Sequence, residues 1–302
     1  MKIIVTHMSP DLDAITSCWV IQRFFPGWNE AKIKFVRAGE RLEDFTNTTA
    51  VIEMNGENEV IHVDTGLGAL DHHQIASTEL SASSLAWDYV SKQWIKANPE
   101  MVKHEKWKYR KEALDRLVRV VVNVDHFKEV FWDNPDADYH DFSLVNILDG
   151  LKAERPNRDR YYVDFIYECL DALLHEFENK IWAEYEIKNK GIIFNTRFGK
   201  GIGLETVNDT VVKLAQKMGY AVVVRKDPRK GYVRIKAKPD LSGNHGGVDL
   251  TKVYEKLKKL DPQASWYLHI LKKMLLNGSS KNPKVKATKL SLSDIIEVVK
   301  EV

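Results

Sequence analysis

The sequence predicts an α/β protein in which a parallel sheet presents functional side chains at one edge. Two short apolar runs rich in β-branched residues, 3–5 and 60–63, are typical of buried central strands of such a sheet. The first run leads into His7 and the second into Asp64. Ligands of open α/β sheets bind just beyond the carboxyl ends of these strands. We therefore expect His7 and Asp64 to meet in one crevice.

The N-terminal half is predicted to alternate strands and helices. In chain order after the first strand, the expected elements are a helix over 13–25, strands near 33–37, 50–54 and 60–64, helices over 83–97 and 107–124, an acidic loop over 132–141, and a long helix over 160–188. Pro26-Gly27 is a strong stop signal for the first helix. Apolar residues at helical spacing support the helix over 83–97. The end of the long helix, near residue 190, predicts a domain boundary, with domains over 1–190 and 191–302.

A second strand and helix pattern begins after this boundary. Its expected elements are a strand over 192–195, a helix over 205–218, a hairpin of strands 220–225 and 232–237, a glycine-rich loop over 242–247, a helix from about 248, a helix near 264–276, a strand near 284–288, and a last helix from 291. The hairpin prediction rests on the turn sequence Asp227-Pro228-Arg229-Lys230-Gly231 between two β-rich runs. The C-terminal half is thus predicted to be a smaller α/β domain.

Composition and charge are those of an ordinary soluble protein with an uneven charge distribution. Of 302 residues, 44% are hydrophobic and 29% charged. Two cysteines, no secretory leader pattern and no apolar stretch of membrane-spanning length predict a soluble, cytoplasmic protein without a disulfide framework. Residues 191–302 carry 22 Lys and Arg against 10 Asp and Glu, which leaves 23 and 33 for residues 1–190. An acidic half that binds cations and a basic half that binds anions would suit a metal-dependent phosphoryl enzyme; surface lysines that aid solubility are the alternative.

A set of imidazoles and carboxylates in the first half predicts a metal site. Its members follow the two predicted strands and are His7, Asp11, Asp13, Asp64, Asp71, His72 and His73. Taken singly, Asp11 and Asp13 would be helix-capping residues, and the other residues would be turn or surface residues. Together they would place several carboxylates in one place, where they would repel one another without a cation. Carboxylates with a few imidazoles suit hard or borderline divalent metals.

The pattern of these residues resembles the DHH phosphoesterase superfamily, which includes RecJ-type exonucleases, oligoribonucleases, cyclic-dinucleotide phosphodiesterases and manganese-dependent pyrophosphatases. The segment from Thr6-His7 to Asp13 is similar to the first motif of the family, and Asp64 in Val-Asp-Thr-Gly to the second. Asp71-His72-His73 is the signature triplet. For the aspartate of the fourth motif, Asp125 is the first choice, with Asp138 and Asp149 as alternatives.

The resemblance implies two divalent ions, Mn²⁺ or Mg²⁺, that activate a water for hydrolysis. The first ion would be held by His7, Asp11 and Asp64, and the second by Asp13, Asp64, His72 and Asp125, with Asp64 shared between them. By the same resemblance, Asp71 would orient His72, and His73 would face the substrate phosphate or the leaving oxygen. Asp64, Asp71 and His73 are therefore the expected catalytic residues.

The resemblance also implies a C-terminal substrate domain of the DHHA1 type, with the active site in the cleft between the domains. Its phosphate-gripping loop would be Ser242 to Gly247, with Asn244, His245, Gly246 and Gly247 as contacts. Here Gly-Gly follows His245, whereas it usually precedes the histidine. A plain turn is the alternative. Arg225 and Arg234, beside the predicted hairpin, are further candidates for substrate binding, or else part of a solvated sheet face.

The predicted function is metal-dependent hydrolysis of a phosphoester or phosphoanhydride in a small nucleotide or short oligonucleotide. The predicted cofactors are two Mn²⁺ ions, with Mg²⁺ as the alternative. A nucleotide or phosphate sensor without catalysis and a single-strand exonuclease are the alternative functions. The expected partner is a small phosphorylated substrate or a short oligonucleotide and not a membrane, and exposed sheet edges near the hairpin could support a homodimer.

Overall fold

The computed structural model describes residues 1–42, 49–239, 247–278 and 284–301. Its strands are β1 (Lys2–His7), β2 (Lys32–Val36), β3 (Glu53–Asn55), β4 (Asn58–His62), β5 (Ile192–Thr196), β6 (Gly199–Glu205), β7 (Val222–Lys226), β8 (Val233–Ala237), β9 (Trp266–Leu268) and β10 (Met274–Asn277). Its α-helices are α1 (Leu12–Phe24), α2 (Ala82–Ala97), α3 (Glu105–Asp125), α4 (Asp138–Asp141), α5 (Leu144–Glu154), α6 (Asp159–Lys190), α7 (Thr210–Lys217), α8 (Thr251–Leu260) and α9 (Leu292–Lys300). The α/β class predicted from the sequence is confirmed.

The chain divides into two units, Met1–Glu178 and Asn179–Val302, called here the N-terminal and C-terminal units. The boundary falls inside α6 and not at the end of this helix, where the sequence places it. The assignment of residues 1–190 and 191–302 to a catalytic and a substrate-binding domain stays a prediction. Among the described residues, no helix has both the length and the apolar character needed to cross a bilayer.

The N-terminal unit is built on a four-stranded sheet in the order β2-β1-β4-β3. β1 pairs in parallel with β2 and β4, and β3 pairs antiparallel with β4 at the edge. β1 is central, and its residues Ile4 and Val5 are fully buried, as expected for a strand covered on both faces. The carboxyl ends of β1 and β4 lie at the same edge of the sheet because the two strands are parallel neighbours.

Helix α1 follows β1 after a four-residue loop and packs against α2 and α3. Asp11 is its N-cap, and one carboxylate oxygen accepts a hydrogen bond from the backbone N–H of Ala14 at 2.9 Å. Ten residues of this 13-residue helix are buried, from Leu12 to Ile21. Capping and burial together fix the start of α1 close to the end of β1.

The C-terminal unit contains a six-stranded sheet in the order β5-β6-β7-β8-β10-β9. Only the β6–β7 pair is parallel, and the other neighbours are antiparallel. Its main core includes Val224, Ile235, Leu275 and Ile296, all of them buried. The predicted strand pair at 220–225 and 232–237 corresponds to β7 and β8.

Several predicted elements of the C-terminal half are wrong. The helix expected near 264–276 is instead the antiparallel pair β9 and β10, because residues 269–272 form a turn in which Lys272 has a φ of 56°. The helix expected over 205–218 is shorter, since its first residue belongs to the strand β6. Residues 284–288 carry no strand. In the N-terminal half, the segment 132–141, which was expected to be an acidic loop, contains the short helix α4.

Candidate metal centre

The predicted metal ligands come from three segments of the N-terminal unit. β1 and the start of α1 supply His7 and Asp11, the segment that follows β4 supplies Asp64 and His72, and the last residue of α3 is Asp125. Among the described residues, the groups able to share one ion are His7 with Asp11 and Asp64, His72 with Asp125 and His126, and Asp64 with His72 and His73. In each group the ligand atoms lie within 4.8 Å of one another.

His7 presents one ring nitrogen to two carboxylates. Its Nδ1 lies 2.9 Å from the backbone oxygen of Met8; since a carbonyl oxygen only accepts, Nδ1 donates. Nε2 lies 3.3 Å from Oδ2 of Asp64 and 3.9 Å from Oδ2 of Asp11. In the neutral ring Nε2 therefore carries the lone pair, and a backbone bond of this kind is the usual way to orient a histidine that binds a metal.

Asp64 lies at the centre of the cluster. Its Oδ2 faces His7, while its Oδ1 lies 3.5 Å from Nε2 of His72 and 3.7 Å from Nδ1 of His73. The residue is 3% exposed, and its backbone φ of 51° is in the left-handed region, which is unusual outside glycine. Its two oxygens thus point to different sets of imidazoles.

The second group of ligands forms around His72. Its Nε2 lies 3.6 Å from Oδ2 of Asp125. Nε2 of His126 lies 3.7 Å from the same oxygen and 2.7 Å from the backbone oxygen of Leu80. Asp138 and Asp149, the alternatives for the fourth motif, belong to none of the possible metal groups among the described residues.

Asp13 is placed differently from the other predicted ligands. It is 2% exposed, and it accepts hydrogen bonds from the hydroxyl of Ser81 at 2.6 Å, the N–H of Ala82 at 2.8 Å and the N–H of Ser83 at 3.0 Å. The carboxylate therefore joins α1 to the N-terminus of α2. Its oxygens belong to none of the possible metal groups in the part of the chain that the structure describes, so its role as a ligand stays a prediction.

Asp71 organises the signature triplet. Its Oδ2 accepts from the N–H of Leu67 at 2.8 Å, and its Oδ1 accepts from the N–H of His73 at 3.1 Å. The ring Nδ1 of His73 lies 2.7 Å from the same Oδ1 and donates to it. The sequence-based expectation was that Asp71 orients His72, but its hydrogen bonds go to His73. The ring of His73, with a side chain 59% exposed, therefore presents Nε2 as its free nitrogen.

The charges of the cluster shift its pKa values in opposite directions. Burial lowers the pKa of His7, but the hydrogen bonds to Asp64 and Met8, with the charges of Asp11 and Asp64, together outweigh it and raise this pKa to about 9. The Asp64 carboxylate also raises the pKa of His72 to about 9. Burial opposes ionisation of Asp64, yet His7 and His72 lower its pKa to about 2. Burial, with the charges of Asp64 and Asp125, raises the pKa of Asp13 to about 7. Without a cation, protons balance the carboxylates.

The residues present fit a divalent metal ion. Oδ1 of Asp64 and Oδ2 of Asp125 are both buried and have no hydrogen-bond partner. A buried carboxylate oxygen without a donor is costly, and a cation between the two groups would remove this cost. Carboxylate oxygens mixed with imidazole nitrogens are ligands for Mn²⁺, Zn²⁺ and related ions.

The predicted substrate-binding arginines are paired within the C-terminal unit. Arg225 is 8% exposed, and its Nη2 donates to the backbone oxygen of Val207 at 2.9 Å and to Oδ2 of Asp227 at 3.3 Å. Arg234 forms an ion pair with Asp209. A role in substrate binding would therefore compete with these internal contacts. Asn244, His245 and Gly246 lie outside the described residues, and Gly247 begins the next described segment.

Three features of the site escaped the sequence reasoning. His126 directly follows Asp125, and this adjacency could have suggested a further imidazole. The run Ser81-Ala82-Ser83-Ser84 before a helical pattern could have suggested a cap, although not that Asp13 would bind to it. Arg41, which contacts the loop after Asp64, has no sequence signal.

Comparisons with known proteins give only distant likenesses. No family model matches the chain, and no curated protein matches it. An uncharacterised protein from Helicobacter pylori G27 shares 11% identity at a TM-score of 0.25, over 99% of this chain and 98% of the other. A pGpG-specific phosphodiesterase, PggH, from Vibrio cholerae shares 13% identity at a TM-score of 0.24, over 99% of each chain. A candidate family II inorganic pyrophosphatase from Methanococcus jannaschii shares 15% identity at a TM-score of 0.21, also over 99% of each chain. These TM-scores are below 0.5, so the likenesses carry no information on function.

Proposed function

We propose that the protein is a metal-dependent phosphohydrolase that acts on a phosphoester or phosphoanhydride of a small nucleotide or short oligonucleotide. The observation that supports this proposal is the position of Asp64 between His7 on one side and His72 on the other. A carboxylate placed between two sets of ligands can bridge two metal ions. Two divalent ions bound there, Mn²⁺ in this proposal, would activate a water and neutralise charge on the phosphoryl group.

The residues of the proposed centre divide into two sets around Asp64. His7 and Asp11 would complete the first set. The second would be completed by His72 and Asp125, with Asp13 as a further ligand; His126 lies beside this set, with Nε2 bonded to the backbone oxygen of Leu80. The hydrogen bond of His7 to the backbone of Met8 keeps its Nε2 directed at Asp64 and Asp11, so the first set is already oriented in the protein.

His73 has the geometry of an acid that acts on the substrate. Asp71 accepts the proton on Nδ1, so that a protonated ring can donate only from Nε2. In this proposal Nε2 of His73 donates a hydrogen bond, and then a proton, to the leaving oxygen of the phosphate ester. The carboxylate of Asp71 holds the ring in this orientation, as an aspartate does in other Asp–His pairs.

The proposal is tested by hydrolysis assays with Mn²⁺. The substrates are pyrophosphate, a nucleoside monophosphate, a dinucleotide and a short single-stranded oligonucleotide, each assayed with wild-type protein and with Asp64→Asn. Asp88→Asn is the matched control, because Asp88 is an exposed aspartate on α2 whose partner is Lys92. We expect turnover of at least one substrate by the wild type and by the control, and its loss in Asp64→Asn. Turnover that survives in Asp64→Asn, or tight binding without turnover of any substrate, would contradict the proposal.

A further inference from the structure

Arg41 has no role in the proposed chemistry, yet it lies against the loop that carries the metal ligands. This loop, residues 64–73, runs from Asp64 to His73. The Nη1 of Arg41 donates to the backbone oxygen of Gly66 at 2.9 Å. The adjacent backbone is held as well, because the hydroxyl of Thr65 donates to the backbone oxygen of Glu40 at 2.9 Å. Residues 40 and 41 therefore bind the loop immediately after Asp64.

The two glycines of the loop leave room for this arginine. A Cβ atom on Gly66 would lie 2.5 Å from Cγ of Arg41, and a Cβ on Gly68 would lie 2.9 Å from its Nη1. Real Cβ contacts are longer than this. The side chain of Arg41 thus occupies the space that a larger residue would fill at either position, and it packs on the turn as well as bonding to it.

The guanidinium is itself held in place by a buried network. Its Nη2 donates to both carboxylate oxygens of Glu53, which is 6% exposed. Oε1 of Glu53 lies 3.2 Å from Nδ1 of His62, and Nε2 of His62 accepts from the backbone N–H of Leu42 at 3.2 Å. Glu53 is on β3 and His62 on β4, so the network fixes Arg41 to the sheet. A planar guanidinium can make the paired bond to Glu53 and the bond to Gly66 at the same time, which a lysine ammonium cannot do in the same geometry.

The bound turn continues into the metal ligands. Asp71, six residues after Thr65, accepts from the N–H of Leu67 inside the turn and from the ring of His73. Asp64, at the start of the loop, has a left-handed backbone. Such conformations persist only where the surroundings hold them. Arg41 contacts the loop between Asp64 and Asp71.

We propose that Arg41 is a positioning residue, whose guanidinium holds the 64–73 loop in the geometry that binds the metal ions. The proposal deepens the proposed function and rests on it, because the metal centre is the part that Arg41 would position. Outer groups that orient metal ligands typically change metal affinity 10–100-fold when they are removed. The loop conformation itself can be measured without any metal.

The test compares Arg41→Met and Arg41→Lys with wild type and with Arg23→Met. Arg23 is the matched control, since its guanidinium also donates to both oxygens of a carboxylate, that of Asp171, but it lies in the last turn of α1 and not at the loop. Hydrogen exchange of the metal-free protein measures how firmly the 64–73 loop is held. Calorimetric titration with MnCl₂ alone measures the affinity of the site. Thermal unfolding of the metal-free variants measures the general loss of stability.

We expect faster exchange in the 64–73 loop and Mn²⁺ binding weakened about tenfold or more in Arg41→Met, with a partial effect in Arg41→Lys. Arg23→Met should lower the unfolding temperature without either change. Wild-type Mn²⁺ affinity in folded Arg41→Met would overturn the proposal, and so would an equal loss of affinity in Arg23→Met. If the wild type binds no Mn²⁺, the proposed function fails, and loop exchange alone then decides whether Arg41 positions the loop.

Discussion

Nε2 of His7 lies 3.3 Å from Oδ2 of Asp64, although 57 residues separate the two along the chain. The contact joins the carboxyl ends of two neighbouring parallel strands, β1 and β4. It is maintained by a backbone bond on the other side of the imidazole, to Met8. In the metal-free protein a proton stabilises this contact, since the pKa of His7 is raised to about 9. Several consequences of this proton can be measured.

Mn²⁺ binding should strengthen as the pH rises from 7 to 9. The metal and the proton compete for Nε2 of His7 and of His72, and the pKa of each is about 9 without metal. Each imidazole that binds an ion must lose its proton. Calorimetry at pH 7 in buffers of different ionisation enthalpy should therefore show a net release of protons on binding. Affinity that does not change across this range would contradict protonated imidazoles at the site.

The free energy of unfolding of the metal-free protein should fall as the pH rises from 6.5 to 9, whereas Mn²⁺ binding should strengthen. A group whose pKa is higher in the folded state stabilises the fold below its unfolded pKa, and this contribution is lost as the pH rises through the folded value. For His7 the window runs from 6.5 to about 9, and the loss is on the order of 3 kcal/mol for this one imidazole. Urea unfolding in the presence of a chelator, at pH 6.5 and at pH 9, measures whether the free energy of unfolding falls between these values.

Tryptophan fluorescence suits this measurement, because six of the eight tryptophans lie in the N-terminal unit. Asp64→Asn is the informative variant, since it removes the charge that raises the pKa of His7. Its stability should vary less with pH between 6.5 and 9 than that of the wild type. The same slope in both proteins would show that the pH dependence arises elsewhere.

At pH 9, where the stabilisation from the protonated imidazoles beside Asp64 is being lost, Asp13 should contribute more to the stability of the metal-free fold than Asp64 does. Three hydrogen bonds from the start of α2 end on its carboxylate, whereas Oδ1 of Asp64 accepts no hydrogen bond. Asp13→Ala leaves these buried donors unsatisfied, at a cost of about 1–3 kcal/mol for each donor that finds no new partner. We expect a clear loss of unfolding free energy in chelator for Asp13→Ala and a smaller one for Asp64→Asn. The reverse order would show that Asp13 is not the link between α1 and α2.

Changing His73 should separate catalysis from metal binding. Its Nδ1 is bonded to Asp71, and its side chain is the most exposed of the histidines around Asp64. His73→Gln should lower kcat about 100-fold or more, the usual contribution of a general acid. The number of bound Mn²⁺ ions, measured by elemental analysis, should stay the same. A lost ion would instead make His73 a ligand, in keeping with its place beside Asp64 and His72 in one of the groups able to share an ion.

The sequence predicted the parts of the site that depend on short motifs and on parallel strands. His7 and Asp64 follow apolar runs, and residues after neighbouring parallel strands must share an edge. The structure brings these two together with His72 and Asp125, as the motifs suggested. The elements that were predicted wrongly lack such a local signal. Residues 264–276 combine strand and turn in a stretch of helical length, where periodicity alone does not distinguish a helix from two short strands.

Contacts made by individual side chains were the second kind of failure. Asp71 bonds to His73 and not to His72, and the order of residues in the triplet does not indicate which of the two histidines faces the carboxylate. Arg41 is 25 residues before Gly66, in a segment without apolar periodicity. Long polar side chains of this kind are placed by tertiary packing, which local sequence patterns do not report.

The contact between Arg41 and the loop can also be tested by changing the loop residue, with Gly68→Ala. Gly68 does not have a positive φ, so alanine brings no backbone strain there, and the atoms nearest to its methyl group would belong to the guanidinium of Arg41. In the wild-type background the substitution should displace Arg41 and weaken Mn²⁺ binding. In the Arg41→Met background no guanidinium remains to be displaced, so the further loss should be small. Effects of the two substitutions that simply add would mean that the residues act independently, and the space beside Gly68 would then have no connection with the metal ligands.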